Sequence, residues 1–162
     1  MSDLFGGLPI KAISLWQPWA ALVSAGVKID ETRHWATAYR GPIAIHAAKT
    51  VDIAGAPDDL CRRVLGSLWR EQVARGAVVA VARLTACVAT AEVADITRAN
   101  RASGNFTPGR FAWRLEGVRA LVEPMPVAGR QGLFNWTPPE DLGQRLGQVV
   151  DHQAVCSRIG WL

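Results

Sequence analysis

The chain has 162 residues, a length that holds one well-buried core and falls short of two ordinary domains. With 49% hydrophobic and 20% charged residues it has a globular composition, which argues against disorder, and its formal charge of +4 is a mild basic excess compatible with a polyanionic partner. Cys61, Cys87 and Cys156 are widely spaced and odd in number, which argues against a disulfide frame or a zinc site and for reduced, buried thiols in a cytoplasmic protein.

Met1-Ser2-Asp3-Leu4 lacks the features of a targeting segment. Lys11 to Leu15 alternates polar and apolar residues and predicts a short strand. Pro18 suits the first position of a helix running from Trp19 to Ala25, whose N-terminus offers free N–H groups, and Gly26 is its left-handed cap. Lys28 to Trp35 reads as a second strand, Gly41-Pro42 as a turn, and Ile43 to His46 as a third strand. From Asp52 to Arg75 the spacing is helical, with Leu60, Val64, Leu65, Leu68, Trp69 and Val73 on one stripe and Gly76 as the stop. Ala77 to Val93 predicts a central strand; its most apolar run ends at Arg83, far short of the roughly 20 residues of a bilayer span. Ala94 to Arg110 reads as a polar loop with a helical turn near Ile96. Phe111 to Leu115 alternates, with Phe111, Trp113 and Leu115 on one face; Val118 to Pro126 is extended, residues 129–136 close the sheet, and Pro138 to Val150 predicts a surface helix. No repeat or linker divides the chain, so one domain over 1–162 is expected, with a barrel over about 11–136 and a C-terminal helix and tail over 137–162.

Lysine is scarce: Lys11, Lys28 and Lys49 stand against fifteen arginines. In a regular strand Glu31, Arg33 and Trp35 share a face, whereas Lys28 has the wrong parity for Glu31 and reaches it only from the turn after Gly26. Two readings are open. One is a structural ion pair of Glu31 with Arg33 or Lys28; the other is a polar pocket in which Lys28 and Arg33 meet an anion or carbonyl and Glu31 accepts from an amino group. Tyr39, Arg40, His46 and Lys49 add a second basic and aromatic group, although a lone histidine is more often a satisfied polar residue and Lys49 an ordinary solvated lysine. Among seven tryptophans, Trp16, Trp35 and Trp113 are candidates for a stacking wall, each with core packing as its plainer role; Trp69 and Trp161 pack the fold and Trp19 faces inward. The chain carries no Gly-x-Ser-x-Gly, no Walker-type phosphate loop, no Gly-x-Gly-x-x-Gly and no His-Glu-x-x-His, so no metal or other cofactor is expected.

Gly26-x-Lys28-x-x-Glu31-x-Arg33 resembles the signature of the ASCH (activating signal cointegrator homology) family, whose fold is similar to that of PUA domains. The likeness continues in Ser14-Leu15-Trp16-Gln17-Pro18-Trp19-Ala20, in Tyr39 to Lys49, in Phe111 to Glu116 and in Gly129 to Phe134. The resemblance implies an α+β fold, a PUA-like small β-barrel of about five to six strands with flanking helices. It also implies a cleft lined by the signature residues that binds RNA or a modified nucleobase. Family members include proteins resembling ribonucleases and amidohydrolases that deacylate N4-acetylcytidine. In the latter the signature lysine is the base and a threonine stands where this chain has Glu31; Glu92 and Glu116 are the candidates for their later catalytic glutamate.

Three functions follow as expectations. The first is a binding module for RNA or a nucleoside, with Trp16, Gln17, Arg33, Trp35, Tyr39, Arg40, His46 and Trp113 as ligand-binding residues. The second is a metal-independent hydrolase, with Lys28 as base and Glu31 and Lys49 moving protons or stabilising charge. The third is a regulatory scaffold without catalysis. No membrane partner is expected.

Overall fold

The computed structural model describes residues 7–162; the opening Met1 to Leu4 therefore lies outside the described residues. In chain order the strands are β1 (Ile10–Gln17), β2 (Asp30–Arg33), β3 (Gly41–Val51), β4 (Ala77–Ala89), β5 (Phe111–Pro126), β6 (Leu133–Trp136) and β7 (Leu146–Val149). The helices are α1 (Trp19–Ser24), α2 (Asp58–Leu65), α3 (Trp69–Gln72), α4 (Arg98–Ala102), α5 (Leu142–Arg145) and α6 (His152–Ile159). The sheet order is β2-β5-β4-β3-β1-β6, with β7 also on β5. β1 and β3 are parallel, with Lys11 opposite Ile43; the other ladders are antiparallel. No ladder joins β2 to β6 among the described residues, so these ladders define an α+β fold around an open seven-stranded sheet.

The period-two pattern sorts β1 and β3 between two cores. Ile13, Leu15, Ile43, Ile45 and Ala47 pack with Ala20 and Val23 of α1, whereas Ile10, Ala12 and Ala44 pack on the other face with Phe134, Trp136 and Leu142. Trp113 and Leu115 lie in the first core with Phe111 against them, as their alternation predicts. A third cluster joins the helices through Leu22, Leu60, Trp69, Ala99 and Cys156.

Several expected elements take other forms. Gly41 and Pro42 are the first residues of β3, not a turn. Within the helical spacing of Asp52 to Arg75, the main helix expected to begin at Asp58 and Asp59 after Pro57 and to end at Gly76 does begin at Asp58, but it is two helices, because Gly66 at φ +96° ends α2 and the chain restarts at Trp69. The central strand stops at Ala89, and the following loop holds a 3-10 turn over Thr90–Glu92 and then α4, whose Thr97 side chain caps the Asn100 N–H. Phe111 to Pro126 is one continuous strand, accommodated by register shifts along its ladder with β4. The surface helix expected over Pro138 to Val150 is only the short α5; Leu146 to Val149 pair with β5 instead. A true helix follows, α6, opened by the Asp151 cap onto Ala154 N–H and closed by left-handed Gly160.

Candidate functional site

The site begins where α1 ends. Gly26 takes φ +80°, and a Cβ there would overlap the Val150 side chain, so the turn needs glycine. The Val27 and Lys28 N–H groups both return to Leu22 O at 3.1 Å, and β2 starts only at Asp30. Lys28 thus stands outside the strand, which frees it from the strand's parity. Its Nζ lies 3.1 Å from Glu31 Oε2 and donates to Asp30 O at 2.9 Å and Ser103 O at 2.7 Å. The two carbonyls accept its hydrogen bonds, and the carboxylate is its ion-pair neighbour. Glu31 Oε1 lies 3.0 Å from Arg33 Nε, close enough for an ion pair but not aligned as a hydrogen bond. Arg33 Nη2 donates to Ser14 O at 2.9 Å.

A second network holds β2 from its other side. Asp30 receives Arg114 in a bidentate pair at 2.7 and 3.0 Å and the Asn100 amide at 2.7 Å. Hydrogen bonding to Asp30 pushes the Arg114 guanidinium above its ordinary pKa. Asn100 Oδ1 accepts from the Ile29 and Asp30 N–H groups at 2.9 and 3.1 Å. Because Ser103 closes the same short helix, α4 fixes both the β2 backbone and the Lys28 amine.

Two adjoining cavities open at this edge of the sheet. The larger, about 380 Å³, is bordered by Trp19, Lys28, Glu31, Asp52, Ser103 and Asn105, among others. The smaller, about 230 Å³, is bordered by Ser14, Trp16, Trp19, Glu31, Arg33 and His34, among others. Trp19, Glu31, Thr32 and Arg110 border both. Arg110 donates to Thr32 O at 3.1 Å, and its Nε is buried without a partner among the described residues. A third cavity, about 420 Å³ and mainly apolar, lies elsewhere, between α1, α3 and β5.

The ion-pair reading of the charged cluster is realised, and its members also stand at cavity walls. Glu31 is ion-paired to two cations; Lys28 and Glu31 border the larger cavity, and Glu31 and Arg33 the smaller. Of the other expected ligand-binding residues, only Trp16, 56% exposed, borders these cavities. Gln17 is buried and structural: Nε2 donates to Ala74 O and Oε1 accepts from Ala21 N–H, so one of the first-turn N–H groups of α1 is already taken. Trp113 is fully buried, packs edge-on against Trp35 at 4.6 Å and donates to Trp35 O. Tyr39 packs on the core and donates to Pro42 O, while exposed Arg40 turns back onto the Thr37 and Tyr39 carbonyls. His46 is buried with both ring nitrogens used, Nε2 donating to Val127 O at 2.7 Å and Nδ1 meeting Ser14 Oγ at 2.8 Å. Lys49 is exposed at the end of β3 with its stem over Gly76, and Glu92 and Glu116 are exposed; none borders the two cavities.

The structure adds Trp19, Thr32, Asp52, Ser103, Asn105 and Arg110 to the hollow. Thr32 has the opposite parity to Glu31, yet it borders the cavities because β2 is an edge strand, and its Oγ1 accepts from Asn105 N–H at 2.9 Å. Arg110 and Asn105 lie in the loop between β4 and β5, which carries no periodic signal; the glycine and asparagine of Gly104-Asn105 were the only local cue. Among the described residues no three His, Cys, Asp or Glu side chains converge as metal ligands, and no helix is long and apolar enough to cross a membrane.

A charged cleft at the edge of an open α+β sheet, walled by a turn, an edge strand and a long loop, is the class of site this fold defines. The chain belongs to the ASCH domain family, whose model matches residues 13–125. Among solved structures it is similar to the ASCH protein from Zymomonas mobilis, at 19% identity and TM-score 0.48, covering 86% of this chain and 97% of that one. It is also similar to a tyrosine-to-phenylalanine variant of that organism's ASCH protein, at 16% identity and TM-score 0.46, covering 83% and 94%. No curated protein matches the chain.

Proposed function

We propose that the protein binds RNA or a modified nucleobase in the cleft bordered by Lys28, Glu31, Arg33 and Arg110. The observation that carries this reading is the pair of adjoining cavities, which Glu31, Arg110 and Trp19 border together, with Lys28 on the larger and Trp16 and Arg33 on the smaller. A nucleobase presents a π-face, amino donors and carbonyl acceptors, and these side chains supply a partner for each. The resemblance to RNA- and nucleobase-binding ASCH and PUA-like proteins supports the same ligand class. Binding stands ahead of hydrolysis because a catalytic base needs a free lone pair, and the Lys28 amine is buried, donates to two carbonyls and lies against the Glu31 carboxylate.

The test is a tryptophan-fluorescence titration with single-stranded RNA and with N4-acetylcytidine, followed by chromatography of the mixtures. Binding of RNA that weakens as salt rises, and that is lost in Arg33→Glu while the circular dichroism spectrum is retained, is the expected result. Failure of both ligands to bind overturns the reading, and product formation without EDTA sensitivity that is lost in Lys28→Ala replaces binding with hydrolysis.

A further inference from the structure

The two cavities differ in charge as well as size. The larger is bordered by Lys28 and Arg110 and by Glu31 and Asp52, two cations against two anions. The smaller is bordered by Arg33 and Arg110 with Glu31 as its one carboxylate, and that carboxylate is already met by Lys28 at 3.1 Å. The small space therefore holds a cationic excess that the large one lacks. The guanidinium groups also keep N–H bonds in reserve. Arg33 and Arg110 each commit Nη2 to a carbonyl, Ser14 O and Thr32 O, and bury Nε, which leaves the Nη1 group of each without a partner among the described residues. Arg33 Nε lies beside Glu31 without hydrogen-bond alignment.

We propose that the smaller cavity is a phosphate subsite and the larger one holds the attached base, so that the ligand is a phosphorylated nucleotide or an RNA chain end rather than a free nucleoside. The proposal rests on reading the cleft as a nucleobase site. A planar fork of N–H groups suits a tetrahedral oxyanion, and two such forks in one small space suit it better than they suit a neutral carbonyl. The balanced charge of the larger space suits an uncharged ring, with Trp19 as a surface to stack on and Thr32 and Asp52 as hydrogen-bonding groups. Because Glu31, Thr32, Arg110 and Trp19 border both spaces, one molecule spans the threshold between them.

Isothermal titration of the full chain with cytidine, its 5′- and 3′-monophosphates and inorganic phosphate tests the division of labour. One monophosphate is expected to bind at least about tenfold tighter than cytidine at low ionic strength, and inorganic phosphate is expected to compete with it. In Arg33→Met the ratio between nucleotide and nucleoside affinity falls toward one. The wild-type comparison decides the matter even where that variant does not fold. Equal affinity for nucleoside and both monophosphates, with RNA still bound, overturns the phosphate subsite and leaves the cleft reading standing. Absence of binding by RNA and by every mononucleotide overturns both.

Discussion

Lys28 Nζ lies 3.1 Å from Glu31 Oε2, although the two residues would face opposite ways along a continuous strand. The contact exists because the chain does not become a strand until Asp30, and left-handed Gly26 sets the turn from which Lys28 reaches across. The amine is nearly closed to water, at 2% exposure, while Glu31 and Arg33 border the open hollow. The signature is thus both a structural ion cluster and the floor of a cleft.

Removing the Lys28 amine is therefore expected to cost stability before anything else. Lys28→Met leaves Asp30 O and Ser103 O without a donor and Glu31 with one cationic neighbour instead of two. Breaking a buried charged pair on one side costs about 3–5 kcal/mol, and the partial exposure of Glu31 places the expected loss near the low end, about 3 kcal/mol. Urea denaturation measures it. A loss below about 0.5 kcal/mol would show that the three contacts contribute no more than an exposed pair.

Gly26 carries a sharper geometric demand. Gly26→Ala must hold a left-handed backbone, at about 1–2 kcal/mol, and must also displace Val150, at roughly another 1–3 kcal/mol. The two costs are separable. In Gly26→Ala/Val150→Ala the overlap is relieved and only the backbone cost persists, so the double variant should be more stable than the sum of the two single losses. Strict additivity in thermal or urea unfolding would remove Val150 from the account.

The three cysteines should differ in reactivity. Cys61 is fully buried, and burial pushes its thiol up to about 12; burial raises the Cys156 thiol as well. Cys87 is only half-buried. In native protein at pH 8 a thiol reagent is expected to label Cys87 first and the other two only on unfolding. The sign of the linkage follows. Because the folded pKa of Cys61 is raised above its ordinary 9.0, its stabilising share is full below about pH 9 and is lost as pH climbs toward about 12. Stability of the wild type should therefore fall more steeply above pH 9 than that of Cys61→Ala, and parallel curves would contradict the assignment.

Periodicity made the sheet readable where a strand has two different faces. Ile13 and Leu15 in β1, Ile43 and Ile45 in β3 and Trp113 and Leu115 in β5 all enter the same core as their alternation predicts. It misled where side chains matched more than one period: the stripe through Leu60 and Trp69 is helical in spacing, but Gly66 at positive φ divides it. The C-terminus is similar. Residues 146–149 pair with β5 because that strand has an open edge there, a fact of tertiary structure with no local trace, and α6, between the Asp151 cap and Gly160, begins only after the helix expected over Pro138 to Val150. For the site, the signature placed Lys28, Glu31 and Arg33 together, but the other wall comes from Asn105 and Arg110, some eighty residues away in an aperiodic loop. His46 and Gln17 have the residue types of a binding site, and only their burial and their carbonyl partners, Val127 O and Ala74 O, assign them to structure.

Tryptophans separate these roles most cleanly. Trp16 is 56% exposed at the rim of the smaller cavity, and Trp113 is sealed in the core against Trp35. Trp16→Ala removes a ring on which a neighbouring base of an RNA chain, beyond the phosphate, can stack, worth about 1–3 kcal/mol of binding, and it removes a ring that is more than half exposed. RNA affinity should drop by about tenfold or more while the melting temperature stays within a degree or two of the wild type. Trp113→Ala opens a cavity under β2 and β4 and strands the Trp35 carbonyl, so it should cost about 3–5 kcal/mol of folding stability. Paired titration and unfolding measurements on the two variants distinguish the roles. A Trp16→Ala protein that binds RNA as tightly as the wild type would move the stacking surface to Trp19, the other ring that borders the cleft.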